Sequence, residues 1–209
     1  MQPDAIARYF TRPDGTFLFK RWPVPMVAGV FGPSAPDHKL IDTVFAEVEA
    51  LTGHPIKIGG DGTDMNATLW FLNDWGDLLK IPGTGFLLGA LGGIVKGLAN
   101  RKASLRRSFT DDPVTGGIGK LAFIVRPGQF ATEDSLDEKL RRIAIQTQLL
   151  WAIGKDFPGV LSEGPDGTKV IRPEVKAILS VAYDPSLPHV STDPALAVQI
   201  ADLIAARGA

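Results

Sequence analysis

Histidine and cysteine are the side chains that most often hold catalytic zinc, and this chain of 209 residues has 3 His and no Cys. Without Cys there are no disulfides, thiolate zinc sites, iron–sulfur clusters or cysteine nucleophiles. The histidines are His38, His54 and His189, and none lies three to five residues from another. A zinc-hydrolase helix carries two His one turn apart with a general base between them. We therefore predict no metal and no cofactor.

Other catalytic patterns are also missing. The glycine-rich stretches 59–62 and 116–119 lack the Lys-Ser/Thr ending of a phosphate loop, and the second precedes a predicted strand instead of following one. No Gly-x-Ser-x-Gly nucleophile elbow is present. Turn formation explains both glycine stretches, and no catalytic residue is assigned.

The segment Leu78–Thr110 has the least usual composition of the chain. It holds six basic residues and no acidic one, whereas the rest of the chain has 16 basic and 23 acidic residues. The net charge of −1 therefore hides a strong asymmetry. A near-neutral total argues against a nucleic-acid binder, because such proteins usually carry a basic excess.

Glycines recur every four residues in this segment, at Gly85, Gly89, Gly93 and Gly97. As a helix, the segment would place apolar residues on one side and glycines on the other. Each Gly costs roughly 1 kcal/mol relative to Ala, so other contacts must hold such a helix. Three possibilities remain: close packing over the core, binding of a membrane surface or partner, or a loop. Binding would use these residues as contacts: Leu87, Leu91, Ile94, Lys96, Leu98, Arg101, Lys102, Arg106 and Arg107.

Hydrophobic periodicity predicts the elements around this segment. Short strands are predicted at 16–22, 26–31, 56–58, 68–72 and 120–125, and helices at 37–51, 133–153, 174–183 and 192–206. The order of the elements indicates an α+β fold. We expect one domain over residues 1–209, with residues 76–117 inserted in it.

Three further motifs are Phe19-Lys-Arg-Trp22, the predicted helix Leu140–Gly154, and the run from Ile178 to Leu187 that contains Tyr183-Asp-Pro185. Together they resemble a proteobacterial family of unknown function that has a zincin-like His-Glu helix. The resemblance implies a zincin-like domain with a small mixed sheet and three to four helices. It also implies a periplasmic or cell-envelope location, although residues 1–4 lack the pattern of a signal peptide.

The chain departs from that family at its zinc helix. Gln146, Thr147 and Gln148 stand where the family has His-Glu-Glu, and Trp151 replaces a later Gln. An amide does not replace imidazole as a zinc ligand, and a Thr hydroxyl is no carboxylate base.

We therefore expect a catalytically inert, zincin-like pseudoenzyme that binds an anionic membrane surface or an acidic protein through its glycine-rich, basic insertion. A hydrolase with an unrecognised active site and a structural subunit of a larger assembly are the alternatives.

Overall fold

The fold is built on a mixed five-stranded sheet. The computed structural model describes residues 1–59, 62, 64–80, 91–126, 135–152 and 157–208. The strands are β1 (Phe19–Lys20), β2 (Met26–Phe31), β3 (Ile56–Ile58), β4 (Ala67–Phe71), β5 (Leu105–Asp111), β6 (Ile118–Val125), β7 (Leu161–Glu163), β8 (Lys169–Ile171) and β9 (Val190–Ser191). The central sheet has the order β3-β2-β4-β6-β5, and β5 alone runs antiparallel to its neighbour. Strands β1 and β9, and β7 and β8, form two small antiparallel pairs.

Helices pack on both sides of this sheet. They are α1 (Pro3–Ala7), α2 (His38–Thr52), a 3₁₀ helix (Trp75–Lys80), α3 (Leu91–Asn100), α4 (Leu136–Gln148), α5 (Pro173–Val181) and α6 (Leu196–Arg207). The predicted α+β class with a mixed sheet is confirmed, and the finer zincin-like assignment stays a prediction. None of the described helices is long and apolar enough to cross a membrane.

Alternation along the strands divides the buried side chains into two cores. In β6, Phe123 and Val125 belong to the large core, whereas Ile124 belongs to a smaller one. Successive residues of a strand point to opposite faces of the sheet, so the two cores lie on opposite faces. The large core includes the apolar sides of α2 and α4, and the smaller core includes α3 and the 3₁₀ helix.

Helix α2 forms as predicted because both of its ends carry strong local signals. The Asp37 carboxylate accepts a hydrogen bond from the Lys39 amide at 2.9 Å. Gly53 ends the helix in the left-handed region at φ 64°, where Gly has no Cβ penalty. The apolar residues Ile41, Val44, Phe45 and Val48 of α2 recur at helical spacing and are buried.

Helix α4 is shorter than predicted. Its start at Ser135 has a capping box in which the Ser135 side chain and Glu138 satisfy each other's backbone amides. It ends at Gln148 and not at Ile153, because Leu149 is extended and forms a β-bridge with Arg21. The predicted first turn at 133–134 and the predicted stop at Gly154 lie outside the described residues.

The segment 76–117 is not set apart from the sheet along its whole length. Leu105–Asp111 is the edge strand β5, in register with β6 from Leu105 opposite Val125 to Thr110 opposite Lys120. The two strands form a hairpin through the turn at 112–117. The sequence pattern missed β5 because its charged and polar residues, such as Arg106 and Ser108, hide the alternation of an edge strand.

Candidate binding surface

Three of the four residues predicted to align with a zinc helix are buried at or just after the end of α4. Gln148 is 0% exposed and Thr147 is 1% exposed, while Gln146 is half-buried. Trp151 was predicted on the helix but follows its end, is 2% exposed, and donates from Nε1 to the Ile145 carbonyl at 2.9 Å. Thr147, Gln148 and Trp151 therefore belong to the packed interior.

Two aromatic side chains bind the last carbonyls of α4. Trp22 Nε1 donates to the Thr147 carbonyl at 2.8 Å, and the Tyr183 hydroxyl donates to the Gln148 carbonyl at 2.6 Å. The last four carbonyls of a helix have no partner within the helix, and an unsatisfied buried carbonyl costs about 1–3 kcal/mol. Segments far apart in sequence thus complete the helix end.

Arg21 ties the same region to the end of α5. Its guanidinium donates to the carbonyls of Ala182 at 3.1 Å, Asp184 at 3.2 Å and Leu187 at 2.5 Å. Burial lowers the pKa of Arg21, and the nearby Tyr183 and Asp184 act in the opposite direction. A cation at the C-terminus of a helix also interacts favourably with the helix dipole. The run from Ile178 to Leu187, which contains Tyr183-Asp-Pro185, therefore supplies three backbone acceptors for a buried arginine.

His54 completes this cluster, which we call the buried junction: Arg21, Trp22, His54, Thr147, Gln148 and Tyr183. The imidazole stacks on the Tyr183 ring at 4.0 Å with a 12° interplanar angle. Burial, and secondarily the charge of Arg21, lower the pKa of His54 to about 4, so the ring is neutral at pH 7. Burial also raises the pKa of Tyr183, so its hydroxyl keeps its proton and donates. Among the described residues, no group of three or more His, Asp or Glu could hold a metal ion.

Helix α3 uses its apolar side to pack on the sheet. Leu98 is 4% exposed and lies in the smaller core with Trp75, and half-buried Ile94 packs against the same core. The surface contact predicted for Leu98 is therefore wrong, because its side chain is already covered. Leu87 lies outside the described residues, and so does the side chain of Leu91.

The exposed residues of α3 are Gly92, Gly93, Lys96, Ala99 and Asn100. No described atom lies within 4 Å of a Cβ built at Gly92 or Gly93. At Gly97 the nearest atom is Nη2 of the flexible Arg101, at 3.6 Å. Close packing over the core, one of the possibilities left by the sequence, does not explain these glycines in the described structure.

The C-terminus of α3 has a lysine in a position that normally takes glycine. The Ala103 amide donates to the Leu98 carbonyl and the Lys102 amide to the Ala99 carbonyl, both at 3.0 Å, which is the Schellman pattern. Lys102 adopts φ 49°, the only positive φ recorded at a non-glycine residue in the described chain. The left-handed region costs an L-residue roughly 1–2 kcal/mol.

The cations around this helix end have no acidic partners among the residues that the structure describes. Lys96, Arg101 and Lys102 are exposed, and within the described ranges no Asp or Glu oxygen lies within 4.0 Å of their side-chain nitrogens. Lys80, by contrast, pairs with Asp77 at 2.9 Å. We call the following residues the glycine–cation face: Gly92, Gly93, Lys96, Gly97, Arg101 and Lys102.

Arg106 and Arg107 do not join this face as one cluster. They are consecutive residues of β5, so they point to opposite sides of the sheet. Arg106 lies opposite Ile124, on the side covered by α3, and is half-buried. Arg107 lies opposite Phe123 on the other side, where its Nη2 donates to the Trp151 carbonyl at 2.7 Å. The prediction that both arginines share one contact surface is wrong.

Comparison with protein-family models, with curated proteins and with solved structures finds no match for this chain. The resemblance to a zincin-like family therefore stays a prediction, and so does the envelope location that it implies.

Sequence reasoning missed the roles of Arg21 and His54. The Tyr183-Asp-Pro185 motif was noticed, but nothing in it shows that its backbone carbonyls bind an arginine more than 150 positions earlier. The available signal was a pair of basic residues, Lys20 and Arg21, between the aromatic residues Phe19 and Trp22 of a predicted strand.

Proposed function

We propose that this protein is a non-catalytic binding protein, and that its glycine–cation face docks onto an acidic surface of a protein partner. The observation that carries the proposal is Lys102, a lysine held in the left-handed conformation beside two other unpaired cations. A conformation that costs energy and is kept at a surface residue is a reason to look for function there.

The charge of the face selects an anionic partner. Lys96, Arg101 and Lys102 are exposed and lack acidic neighbours in the described structure, so their positive potential is not neutralised within the chain. An arginine fork can bind a carboxylate with two parallel hydrogen bonds. The exposed glycines add a stretch of bare helix backbone, which a partner can approach more closely than a surface covered by side chains.

A protein partner fits better than a lipid surface. Lipid binding by an amphipathic helix needs apolar side chains that enter the bilayer. Among the apolar residues of α3 whose side chains the structure describes, Leu98 is buried and Ile94 is half-buried against the smaller core. Electrostatics alone gives about 1 kcal/mol for each Lys or Arg near an anionic membrane. Three cations would then give about 3 kcal/mol, which is weaker than millimolar binding.

The buried junction supports the non-catalytic part of the proposal. The Gln148 side-chain amide donates to the Ala144 carbonyl and the Thr147 hydroxyl, and the Thr147 hydroxyl itself donates to Ala144. Groups that lie in the interior with these contacts do not meet a substrate.

The proposal is tested with an immobilised oligoglutamate peptide, measured at low and high salt. The triple variant Lys96→Glu, Arg101→Glu, Lys102→Glu should lose the salt-sensitive binding of the wild type. The matched control changes three exposed lysines elsewhere: Lys39→Glu, Lys120→Glu, Lys176→Glu. It alters the net charge equally and should retain most of the binding.

Equal losses in the two triple variants would overturn the proposal, because binding would then follow net charge and not the face. Vesicles of phosphatidylglycerol and of phosphatidylcholine form the second arm. Wild-type protein that sediments with the anionic vesicles but does not bind oligoglutamate would make the membrane the target and refute a protein partner.

A further inference from the structure

A second cationic site lies on the opposite face of the sheet from α3. It is a cavity of about 400 Å³ between the segment after α1, strand β5 and the residues that follow α4. Its lining consists of Phe10, Arg12, Pro13, Asp14, Leu18, Arg107, Phe109, Leu150, Trp151 and Ala152. None of these residues belongs to the glycine–cation face or to the buried junction. We call it the Arg12/Arg107 cavity.

Arg107 presents an uncompensated positive charge to this cavity. Its Nη2 donates to the Trp151 carbonyl at 2.7 Å, and this hydrogen bond orients the guanidinium group. The Arg107 side chain is half-buried and lines the cavity, and none of its nitrogens is a buried atom without a hydrogen-bond partner. Within the described residues, no carboxylate forms an ion pair with Arg107. Burial, and then the charge of Arg12, lower the pKa of Arg107 to about 10, which leaves it cationic at pH 7.

Asp14 is the one acidic residue in the described lining of the cavity. Its Oδ1 accepts from the Thr16 hydroxyl at 2.6 Å and the Thr16 amide at 2.9 Å, and these bonds, together with the charge of Arg12, lower the pKa of Asp14. Its single negative charge offsets only one of the two arginines. Lys20 lies over the Phe109 ring, and its ammonium group pairs with Asp111 at 2.5 Å. The cavity therefore keeps a net positive character.

The rest of the lining is apolar and well ordered by packing. The Phe10 and Trp151 rings stack at 5.7 Å with a 14° interplanar angle, and both are buried. Leu18, Phe109 and Leu150 extend this apolar lining. Ligand pockets typically combine such an apolar lining with a few polar groups that fix orientation.

We propose that the Arg12/Arg107 cavity binds a small organic carboxylate. The carboxylate lies between the two guanidinium groups, and the apolar body of the ligand lies against Leu18, Phe109 and Leu150. Guanidinium groups match the planar geometry of a carboxylate, and two cations whose charges repel each other gain when an anion lies between them. The proposal does not depend on the glycine–cation face.

Calorimetric titration of the whole protein tests this site with three probes: benzoate, its neutral analogue benzamide, and inorganic phosphate. Benzoate should bind at least about tenfold more tightly than benzamide, because only benzoate gains the charge-assisted hydrogen bonds. Phosphate should compete with benzoate for the arginines but bind more weakly, because it has no apolar body. Phosphate binding without benzoate binding would overturn the proposed ligand class, and so would no binding of benzoate.

Arg12→Gln is the decisive variant, because Arg12 is exposed and its side chain can be removed without opening the core. It should weaken benzoate binding about tenfold. Arg101→Gln, which removes an equally exposed arginine on the other site, is the matched control and should leave the affinity unchanged. Arg107→Lys keeps the charge but loses the fork, and should also weaken benzoate binding. Unchanged benzoate affinity in Arg12→Gln would refute the site.

Discussion

In the described structure, the buried junction and the glycine–cation face both contain basic side chains without acidic partners. They differ in whether the chain itself supplies hydrogen-bond acceptors for those side chains. The three hydrogen bonds of Arg21 end on backbone carbonyls of the same chain. Lys96, Arg101 and Lys102 have no such bonds in the described structure and remain in solvent. A cation with internal acceptors stabilises the fold, whereas cations without them are available to a partner. Substitutions in the two regions should therefore affect different measurements.

The largest effect is expected at Arg21. Arg21→Met keeps the approximate length of the side chain but leaves three carbonyls without their donor. A buried carbonyl that loses its donor costs about 1–3 kcal/mol, so the loss of three donors should lower the unfolding free energy in urea by about 3 kcal/mol or more. Arg101→Met on the glycine–cation face is the control and should change stability by less than about 0.5 kcal/mol. Equal effects at the two positions would remove the distinction between the regions.

The next effect is a pH dependence that comes from His54. Its pKa of about 4 in the folded protein lies below the ordinary value of 6.5, so the unfolded chain binds the proton more tightly. Stability should be complete above pH 6.5 and fall as the pH drops from 6.5 to about 4, by at most about 3 kcal/mol. His54→Phe keeps an aromatic ring on Tyr183 and should flatten this part of the curve.

The control for that measurement is His38→Gln, a change at an exposed position. It should leave the pH dependence between 4 and 6.5 as in the wild type. Protonation of carboxylates with lowered pKa values, such as Glu138, also destabilises the protein in acid. The test is therefore the difference in unfolding free energy between His54→Phe and the wild type at each pH. A difference that stays constant with pH would contradict the role assigned to His54.

Tyr183→Phe isolates a single hydrogen bond of the buried junction. It removes the hydroxyl that donates to the Gln148 carbonyl and leaves a buried acceptor unsatisfied, which should cost about 2 kcal/mol. The chain has only one other tyrosine, Tyr9, whose hydroxyl makes no hydrogen bond with the described residues. Tyr9→Phe is therefore the matched control. A cost as large as that of Tyr183→Phe would show that the Tyr183–Gln148 bond contributes little.

The same comparison explains which parts of the structure could be predicted from the sequence. Helix α2 was predicted almost to the residue because Asp37 and Gly53 lie next to the elements they end. The end of α4 was not, because it depends on contacts from Arg21, Trp22 and Tyr183 that are distant in sequence. Helix ends that are set by neighbouring residues can be predicted from the sequence, whereas helix ends that are capped by side chains from distant segments cannot.

The basic segment Leu78–Thr110 also shows that sequence predicts only part of a site. Its charge excess was readable from composition and led to Lys96, Arg101 and Lys102. Composition does not indicate, however, that Leu98 turns inward or that strand β5 separates Arg106 from Arg107. The Arg12/Arg107 cavity joins residues from three segments, so no local pattern could have indicated it.

On the glycine–cation face, replacing the exposed glycines by alanine should stabilise the protein. Combining Gly92→Ala with Gly93→Ala should raise the unfolding free energy by about 1–2 kcal/mol, because Ala favours a helix over Gly by roughly 0.5–1 kcal/mol per site. A Cβ at either position meets no described atom within 4 Å. Destabilisation in urea would contradict this and restore close internal packing as the role of these glycines.

The smallest and most specific effect is expected at Lys102. Lys102→Gly relieves the left-handed conformation, which costs roughly 1–2 kcal/mol, but adds about 0.4–1 kcal/mol of unfolded-chain entropy. The net gain in stability should be about 0.5–1 kcal/mol. Lys96→Gly, in the middle of α3, should instead lose about 1 kcal/mol of unfolding free energy.

Both variants should bind oligoglutamate less well than the wild type, because each removes one cation of the glycine–cation face. Two lysines with the same effect on binding and opposite effects on stability would show that Lys102 is kept for its charge at the expense of the fold. If Lys102→Gly gains stability and binds as well as the wild type, the lysine has no part in docking.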